Sequence, residues 1–354
     1  MNILVISLAG IGDTLFATPL IHELRANYPE ARIDAFVLWT GSKHLLEGNP
    51  HVNAVRQKNL MAAGKADSLK FLWQLRQQKY DLSFNTHPQS RVLYRAVARF
   101  INARVRASHE YDNASAWDRF LVNRTLKQDY TRHAVENNLA LLETVGARRL
   151  LPRHEYEIYL SPADLKWADD FLARHNCSGR KRLGIHVGSG GTKNLPLRRW
   201  PLDNYLVLLQ ELRQSHPELA IVLLGGPEEE KDHQTIRAQT SPGQVLIAEP
   251  PSLRQTAALL KQCDLFLSVD TNLMHLAAAM KVPRVVVIET PTWNKPIEPY
   301  GYPFTLIPNP AVAGRNLDYY RYDGRGIRGS PTELHRCMSS VTVDAVCQTL
   351  ERML

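Results

Sequence analysis

Four groups of residues combine types and spacings that could do chemistry. The first is Gly10-Ile11-Gly12-Asp13-Thr14, set between a short apolar run at 3–8 and a helix-like stretch at 14–27. A nearly all-apolar run of this length reads as a strand buried on both faces of a parallel sheet. Asp13 then falls at the carboxyl edge of that sheet, where ligands of open α/β folds bind. There its carboxylate could take a proton from a hydroxyl, or could simply cap the helix, a place that Asp favours. The run is not a dinucleotide fingerprint: the third glycine is missing, and Leu38-Trp39-Thr40 stand where an acidic residue would hold a ribose.

The second group is Gly188-Ser189-Gly190-Gly191-Thr192-Lys193, followed by Arg198-Arg199-Trp200-Pro201. Small residues let backbone N–H groups approach an anion, and the nearby cations suit a diphosphate. A flexible loop with solvated charges is the alternative, and the spacing is not that of a P-loop. In the third group, Asp270-Thr271-Asn272-Leu273-Met274-His275, a strand ends at Asp270 and a small-residue helix begins. The N–H groups at that start, with the helix dipole, attract an anion, and His275 falls in the first turn. A capped helix with a core histidine is the plainer reading. The fourth group is Arg91, Arg95 and Arg99, one helical turn apart, with Arg104 and Arg106 just beyond. Such a row is either a solvated helix face or a dock for phosphates on an acceptor or membrane. Aromatics are not interleaved with it, so the stacking platform of a single-strand nucleic-acid binder is missing.

The elements that must position these groups alternate along the chain. Strand-like runs at 3–8, 32–38, 52–55 and 80–85 are separated by helix-like stretches at 14–27, 41–47 and 69–78, with another at 91–100. The pattern restarts with strands at 182–187, 219–224, 245–248, 265–269 and 285–288, and helices at 202–215, 253–263 and 273–280. Alternation at this spacing predicts right-handed βαβ units and doubly wound parallel sheets. With 354 residues, two domains are expected. Their expected bounds are 1–160 and 161–334, with a C-terminal helical segment at 335–354 crossing back to the first domain. Residues 311–331 read as a long loop.

Composition narrows the function. Hydrophobic residues make up 44% and charged residues 22%, which excludes a disordered chain. The net charge of +8 points to an acidic partner. Residues 1–150 carry 20 Lys and Arg against 13 Asp and Glu, while residues 151–354 carry 23 against 22, so the excess lies in the first half. Cys177, Cys263, Cys337 and Cys347 are too scattered for a zinc site or a disulfide scaffold. The N-terminal run lacks a leading cation and breaks at Gly10, unlike a signal peptide, so a cytoplasmic location is expected.

Together these motifs resemble glycosyltransferase family 9, the ADP-heptose:lipopolysaccharide heptosyltransferases. The resemblance is carried by 10–19 with Pro19, by Gln89-Ser90-Arg91, by Arg198-Arg199-Trp200-Pro201 and by Leu224-Gly225-Gly226-Pro227-Glu228-Glu229. Asp270-Thr271 with His275-Leu276-Ala277-Ala278, and Cys337-Met338 before Val341-Thr342-Val343, complete it. It implies an α/β fold of the GT-B class, two Rossmann-like doubly wound domains facing across a cleft, with acceptor on the first and nucleotide sugar on the second. It also implies inverting transfer without metal or cofactor, and Asp13 as general base. The donor side would comprise Gly188, Ser189, Lys193, Arg198, Glu228 or Glu229, Asp270, Thr271, Asn272 and His275. Gly12, Thr14, Arg91 and Arg95 would lie on the acceptor side. The expected partners are a nucleotide sugar, ADP-heptose in the family, and a phosphorylated glycolipid core at the cytoplasmic face of the inner membrane, with no nucleic acid. Asn272 stands where the family commonly has glycine, and Arg198 where it has lysine, both in the donor pocket. A nucleotide-sugar epimerase of the same fold and a non-catalytic nucleotide or nucleic-acid binder are the competing readings.

Overall fold

The computed structural model describes residues 1–191, 193–240, 243, 245–316 and 326–354. The chain forms two compact units, the first spanning Met1–Tyr159 and the second beginning at Leu160.

The first unit runs β1 (Asn2–Ser7), α1 (Ile11–Asn27), β2 (Arg32–Val37), α2 (Thr40–Leu46), β3 (Ala54–Gln57) and α3 (Lys65–Gln77). It continues with β4 (Leu82–Asn85), α4 (Val92–Ile101), β5 (Val105–Glu110), α5 (Asp118–Leu121), β6 (Arg124–Lys127) and α6 (Ala134–Ala140). All six strands are parallel, in the order β3-β2-β1-β4-β5-β6. Leu4, Ile6 and Phe36 of the sheet pack against Leu72 and Leu75 of α3 and Ala98 and Ile101 of α4. Strands β5 and β6 and helix α6 have no counterpart in the hydrophobic pattern. β5 buries Ala107, Ser108 and His109, and two polar side chains in three break the apolar run that marks an inner strand.

The second unit runs α7 (Pro162–Arg174), β7 (Arg182–Ile185), α8 (Leu202–Ser215), β8 (Ala220–Leu223), α9 (Glu230–Gln239), β9 (Val245–Ile247) and α10 (Leu253–Lys261). Then come β10 (Leu265–Ser268), α11 (Asn272–Ala279), β11 (Arg284–Ile288), β12 (Thr305–Ile307), α12 (Pro331–Ser339) and α13 (Val343–Glu351). Its parallel strands follow the same winding, β12-β11-β10-β7-β8-β9. The sequence reading has the C-terminal helices crossing to the first unit, and the core they join is that of the second. Met338, Val341, Val346, Cys347 and Leu350 join the core of the second unit with Leu208, Leu209 and Leu212 of α8. Trp200 Nε1 also donates to the Val341 carbonyl at 2.8 Å. Amphipathic periodicity says that a helix has a face to bury but not which face will receive it. Most of the loop expected at 311–331 lies outside the described residues.

Each sheet reverses its strand order once, between β1 and β4 in the first and between β7 and β10 in the second. Loops leaving the carboxyl ends of these strand pairs diverge and open a crevice, which is where doubly wound sheets bind ligands.

Helix α1, which begins two residues before Asp13, is clamped along its length by the segment 148–159. The Glu23 carboxylate is fully buried and accepts the Leu150 and Leu151 amides, with His154 Nε2 at 2.7 Å. Burial alone would raise its pKa, but the two amides and His154 outweigh it and hold Glu23 below its ordinary value. Glu23→Ala strands two amides without an acceptor, and a loss of about 2–4 kcal/mol is expected. Thermal or urea unfolding of the variant against the parent measures it.

Candidate active site

At the crevice of the first sheet, β1 runs out through Leu8 and Ala9 to Gly10, and α1 starts at Ile11. Asp13 lies in the first turn, half-buried, and its Oδ2 accepts the Gly10 amide at 2.6 Å. This is the capping contact that the spacing allows. Gly12 sits beside it at the helix start, also half-buried. Thr14 is fully buried and its hydroxyl donates to Ser42 Oγ at 2.8 Å. It braces α1 on α2 and does not face an acceptor, contrary to expectation.

The loop from β4 to α4 forms the opposite side of this crevice. Arg91 is exposed at the start of α4. Arg95 is only 2% exposed, ion-paired with Asp118, and it donates to the carbonyls of Gln89 at 3.3 Å and Ser90 at 3.1 Å. The expected basic row is therefore not one exposed face: Arg95 orders the Gln89-Ser90 loop from inside and has no surface for an acceptor. Arg99 lies 4.8 Å above the Phe120 ring.

Beneath this loop lies a polar core that the motifs did not signal. The His87 amide donates to Asn138 Oδ1 at 2.7 Å, the Gln89 amide to the Tyr111 hydroxyl at 2.8 Å, and Asn138 Nδ2 to the Phe16 carbonyl at 3.0 Å. His109 Nε2 meets the Asn137 carbonyl at 2.9 Å. Burial, reinforced by His109 and His133, pushes the His87 pKa far down, and burial takes His109 to about 4. Lone histidines inside a strand or a loop carry no spacing signal, so only the fold could bring them together.

In the second unit the crevice is walled by loops leaving β7, β8, β10 and β11. Arg198 Nη1 donates to Asp270 Oδ2 at 2.7 Å and to Thr292 Oγ1 at 3.2 Å, and Thr292 donates to the same carboxylate oxygen at 3.0 Å. Thr271 caps α11 by accepting the Met274 amide at 3.4 Å, and its hydroxyl also lies 3.2 Å from His186 Nδ1. Asn272, half-buried, is the first residue of that helix, and His275 is buried in its first turn. Arg199 bridges Glu229 Oε1 at 3.1 Å, Asp232 at 2.9 Å and the Ser189 carbonyl at 3.3 Å. The Ser189 hydroxyl is held by the Leu195 carbonyl at 3.0 Å. Lys193 is exposed at the end of the glycine loop.

The two glutamates after β8 differ. Glu229 is buried and accepts the Gly226 amide at 3.0 Å, with His186 Nε2 3.7 Å away. Burial would raise its carboxyl, yet His186, that amide and Arg199 hold it below its ordinary value. Glu228 is exposed beside Gly191. Of the pair, Glu228 is the exposed one, and Glu229 supports the glycine loop from below. Arg199, His186, Asp232 and Thr292 were not read as site residues, although Arg199 stands inside a recognised motif.

Among the described residues, one group of three could offer metal ligands, His22, His51 and Glu157. Its two imidazoles are stacked nearly parallel with centroids 3.8 Å apart. An ion in the plane of one ring would lie out of the plane of the other. His22 Nδ1 instead meets Glu157 Oε1 at 2.6 Å, a second tie of segment 148–159 to α1.

The profile of glycosyltransferase family 9 (heptosyltransferase) matches residues 68–311. The chain belongs to this family. Lipopolysaccharide heptosyltransferase 3 of Escherichia coli is 27% identical over 283 residues, covering 77% of this chain and 79% of its own. The structure of a family 9 glycosyltransferase from Veillonella parvula superposes with a TM-score of 0.78 at 19% identity, covering 99% of this chain and 96% of its own. That of E. coli ADP-heptose lipopolysaccharide heptosyltransferase II gives 0.72 at 22%, covering 100% and 98%. The protein is accordingly a glycosyltransferase of GT-B fold, similar to heptosyltransferases of lipopolysaccharide core synthesis.

Two outcomes test this geometry. A Cβ at Gly188 would lie 2.0 Å from the Glu229 carboxylate, which is buried and tied down, whereas one at Gly191 would meet the exposed Glu228 at 2.6 Å. Gly188→Ala should cost about 1–3 kcal/mol through overpacking, and Gly191→Ala much less because Glu228 can swing away. Melting temperatures of the two variants decide it. The second outcome concerns pH. His87 and His109 are neutral when folded and protonate near pH 6.5 when unfolded. Their contribution is complete above that pH and declines as pH falls from 6.5 toward 4, by up to about 1.4 kcal/mol per unit for each. His109→Gln, whose amide can still donate to Asn137, should flatten the fall of melting temperature between pH 7 and 5.

Proposed function

We propose that the protein transfers a heptose from ADP-heptose to the inner core of lipopolysaccharide, with inversion at the anomeric carbon and Asp13 as general base. The observation that carries the mechanism is the position of Asp13: a half-buried carboxylate at the crevice of the first sheet, oriented by the Gly10 amide on Oδ2. One carboxylate suffices for inversion, since it removes the acceptor hydroxyl proton while the oxygen attacks the face opposite the departing diphosphate. The second requirement is stabilisation of that leaving group. Arg198, Lys193 and the amides opening α11 supply positive charge and hydrogen-bond donors for it. Glu228 is suited to a hydroxyl of the nucleoside. Gly12 and Arg91 remain the acceptor-side groups, with Arg95 positioning the loop that carries Arg91. The charge excess of residues 1–150 suits a phosphorylated core glycolipid. The E. coli relatives are named for lipopolysaccharide and for ADP-heptose, which supports this substrate pair.

No metal or cofactor is part of this reading, and the acceptor places the reaction at the cytoplasmic face of the inner membrane. No helix among the described residues is long and apolar enough to cross a membrane, which suits peripheral contact.

Purified protein with ADP-heptose and a core acceptor lacking its next heptose should yield the inverted glycoside, read by mass spectrometry and anomeric NMR couplings. Asp13→Asn should lower kcat by roughly 100- to 10,000-fold while leaving ADP binding within a few-fold of the parent. Retention of near-full turnover would exclude Asp13 as the base.

A further inference from the structure

The first unit carries exposed apolar side chains flanked by arginines on α4 and on the α5 turn. Val92 and Leu93 in the first turn of α4 are 50% and 69% exposed, and Trp117 and Phe120 of the α5 turn are 77% and 62% exposed. The two pieces sit on helices that pack on each other. The Arg95–Asp118 ion pair joins these helices, and Arg99 of α4 stacks on the Phe120 ring at 4.8 Å. Asp118, the acid between Trp117 and Phe120, is buried on Arg95, while Arg91 and Arg119 are exposed and Arg99 is half-buried against the Phe120 ring. From 91 to 124 the chain holds seven arginines against three acids. Soluble proteins rarely leave two large aromatics and two aliphatic side chains together in water, and patches of this kind mark contact surfaces.

We infer that this face docks the protein on an anionic lipid bilayer, Trp117, Phe120, Val92 and Leu93 entering the headgroup–acyl boundary while Arg99 and Arg119 meet lipid phosphates. Trp and Phe beside arginines are the residues that settle at such a boundary. The surrounding positive charge matches the negative surface of the membrane and disfavours a second copy of the same face. Exposed aliphatics separate this surface from a nucleic-acid platform, which stacks bases on aromatics and has no use for Val92 and Leu93. The inference rests on the glycolipid reading above. Val92 and Leu93 stand where α4 begins, at the carboxyl edge of the sheet that also carries Asp13, and the α5 turn runs along α4 from there toward the start of β6, Phe120 reaching Arg99 in the last turn of α4.

Co-sedimentation of the full chain with vesicles of phosphatidylcholine and 30% phosphatidylglycerol tests it. Binding is expected to exceed that to pure phosphatidylcholine by at least ten-fold and to weaken with salt. The W117S/F120S variant should lose ten-fold or more in binding, as should Leu93→Ser to a smaller extent. The melting temperature and turnover on a soluble, delipidated acceptor should remain unchanged. Equal vesicle binding by W117S/F120S would overturn the inference. So would absence of binding to anionic vesicles, a parental dimer that the variant converts to monomer, or tight oligonucleotide binding lost in the variant. Absence of sugar transfer to any acceptor would instead refute the proposed reaction, whatever the vesicles show.

Discussion

A parallel sheet that winds in both directions from its centre has one place where adjacent strands send their following loops apart. In this chain each sheet has such a place, β1 beside β4 and β7 beside β10. Asp13, the Gln89–Arg91 loop, the glycine loop and the α11 start all stand at one of these two points. The constraint is topological before it is chemical. Two of the loops are held open from beneath by buried charge: Arg95 on Asp118 in the first unit, Arg199 on Glu229 and Asp232 in the second. Both arginines are committed to carboxylates of the protein itself.

That commitment explains a departure from simple motif reading. Adjacent or periodic arginines look equivalent along a sequence, yet burial and pairing sort them. Arg91 is exposed while Arg95 is internal, and the adjacent Arg198 and Arg199, both part-buried, pair with different carboxylates, Asp270 and Glu229. Buried ion pairs contribute little net stability when compared with apolar packing, but removing one partner is costly because the other charge stays behind. Their role here is to fix loop geometry.

The sheet edges and the motifs on them were legible because an apolar run that ends in small or acidic residues before a helical stretch reports a strand-to-helix turn directly. Asp13 and 270–275 belong to that class, and the resemblance they carry leads to the right family. The rest depended on contacts distant in sequence. β5 is hidden by Ser108 and His109, and the latter finds the Asn137 carbonyl for its Nε2 only within the polar core around His87 and Tyr111. The path of α13 was decided by α8, roughly 140 residues earlier, and no local pattern encodes a choice of partner. Thr14 illustrates the limit at a single position: one residue from a candidate base, it turns inward to Ser42 because helical geometry sends neighbours to different faces.

The Arg198–Asp270–Thr292 contact bears on discrimination among anions. With its guanidinium already hydrogen-bonded to a carboxylate, Arg198 presents a reduced field to a passing phosphate, and a bare anion must compete with Asp270 to gain it. A ligand with several points of attachment can meet that cost from contacts elsewhere, whereas orthophosphate has none to offer. In the proposed reaction, an arginine engaged in this way would filter by completeness of the ligand rather than by charge alone.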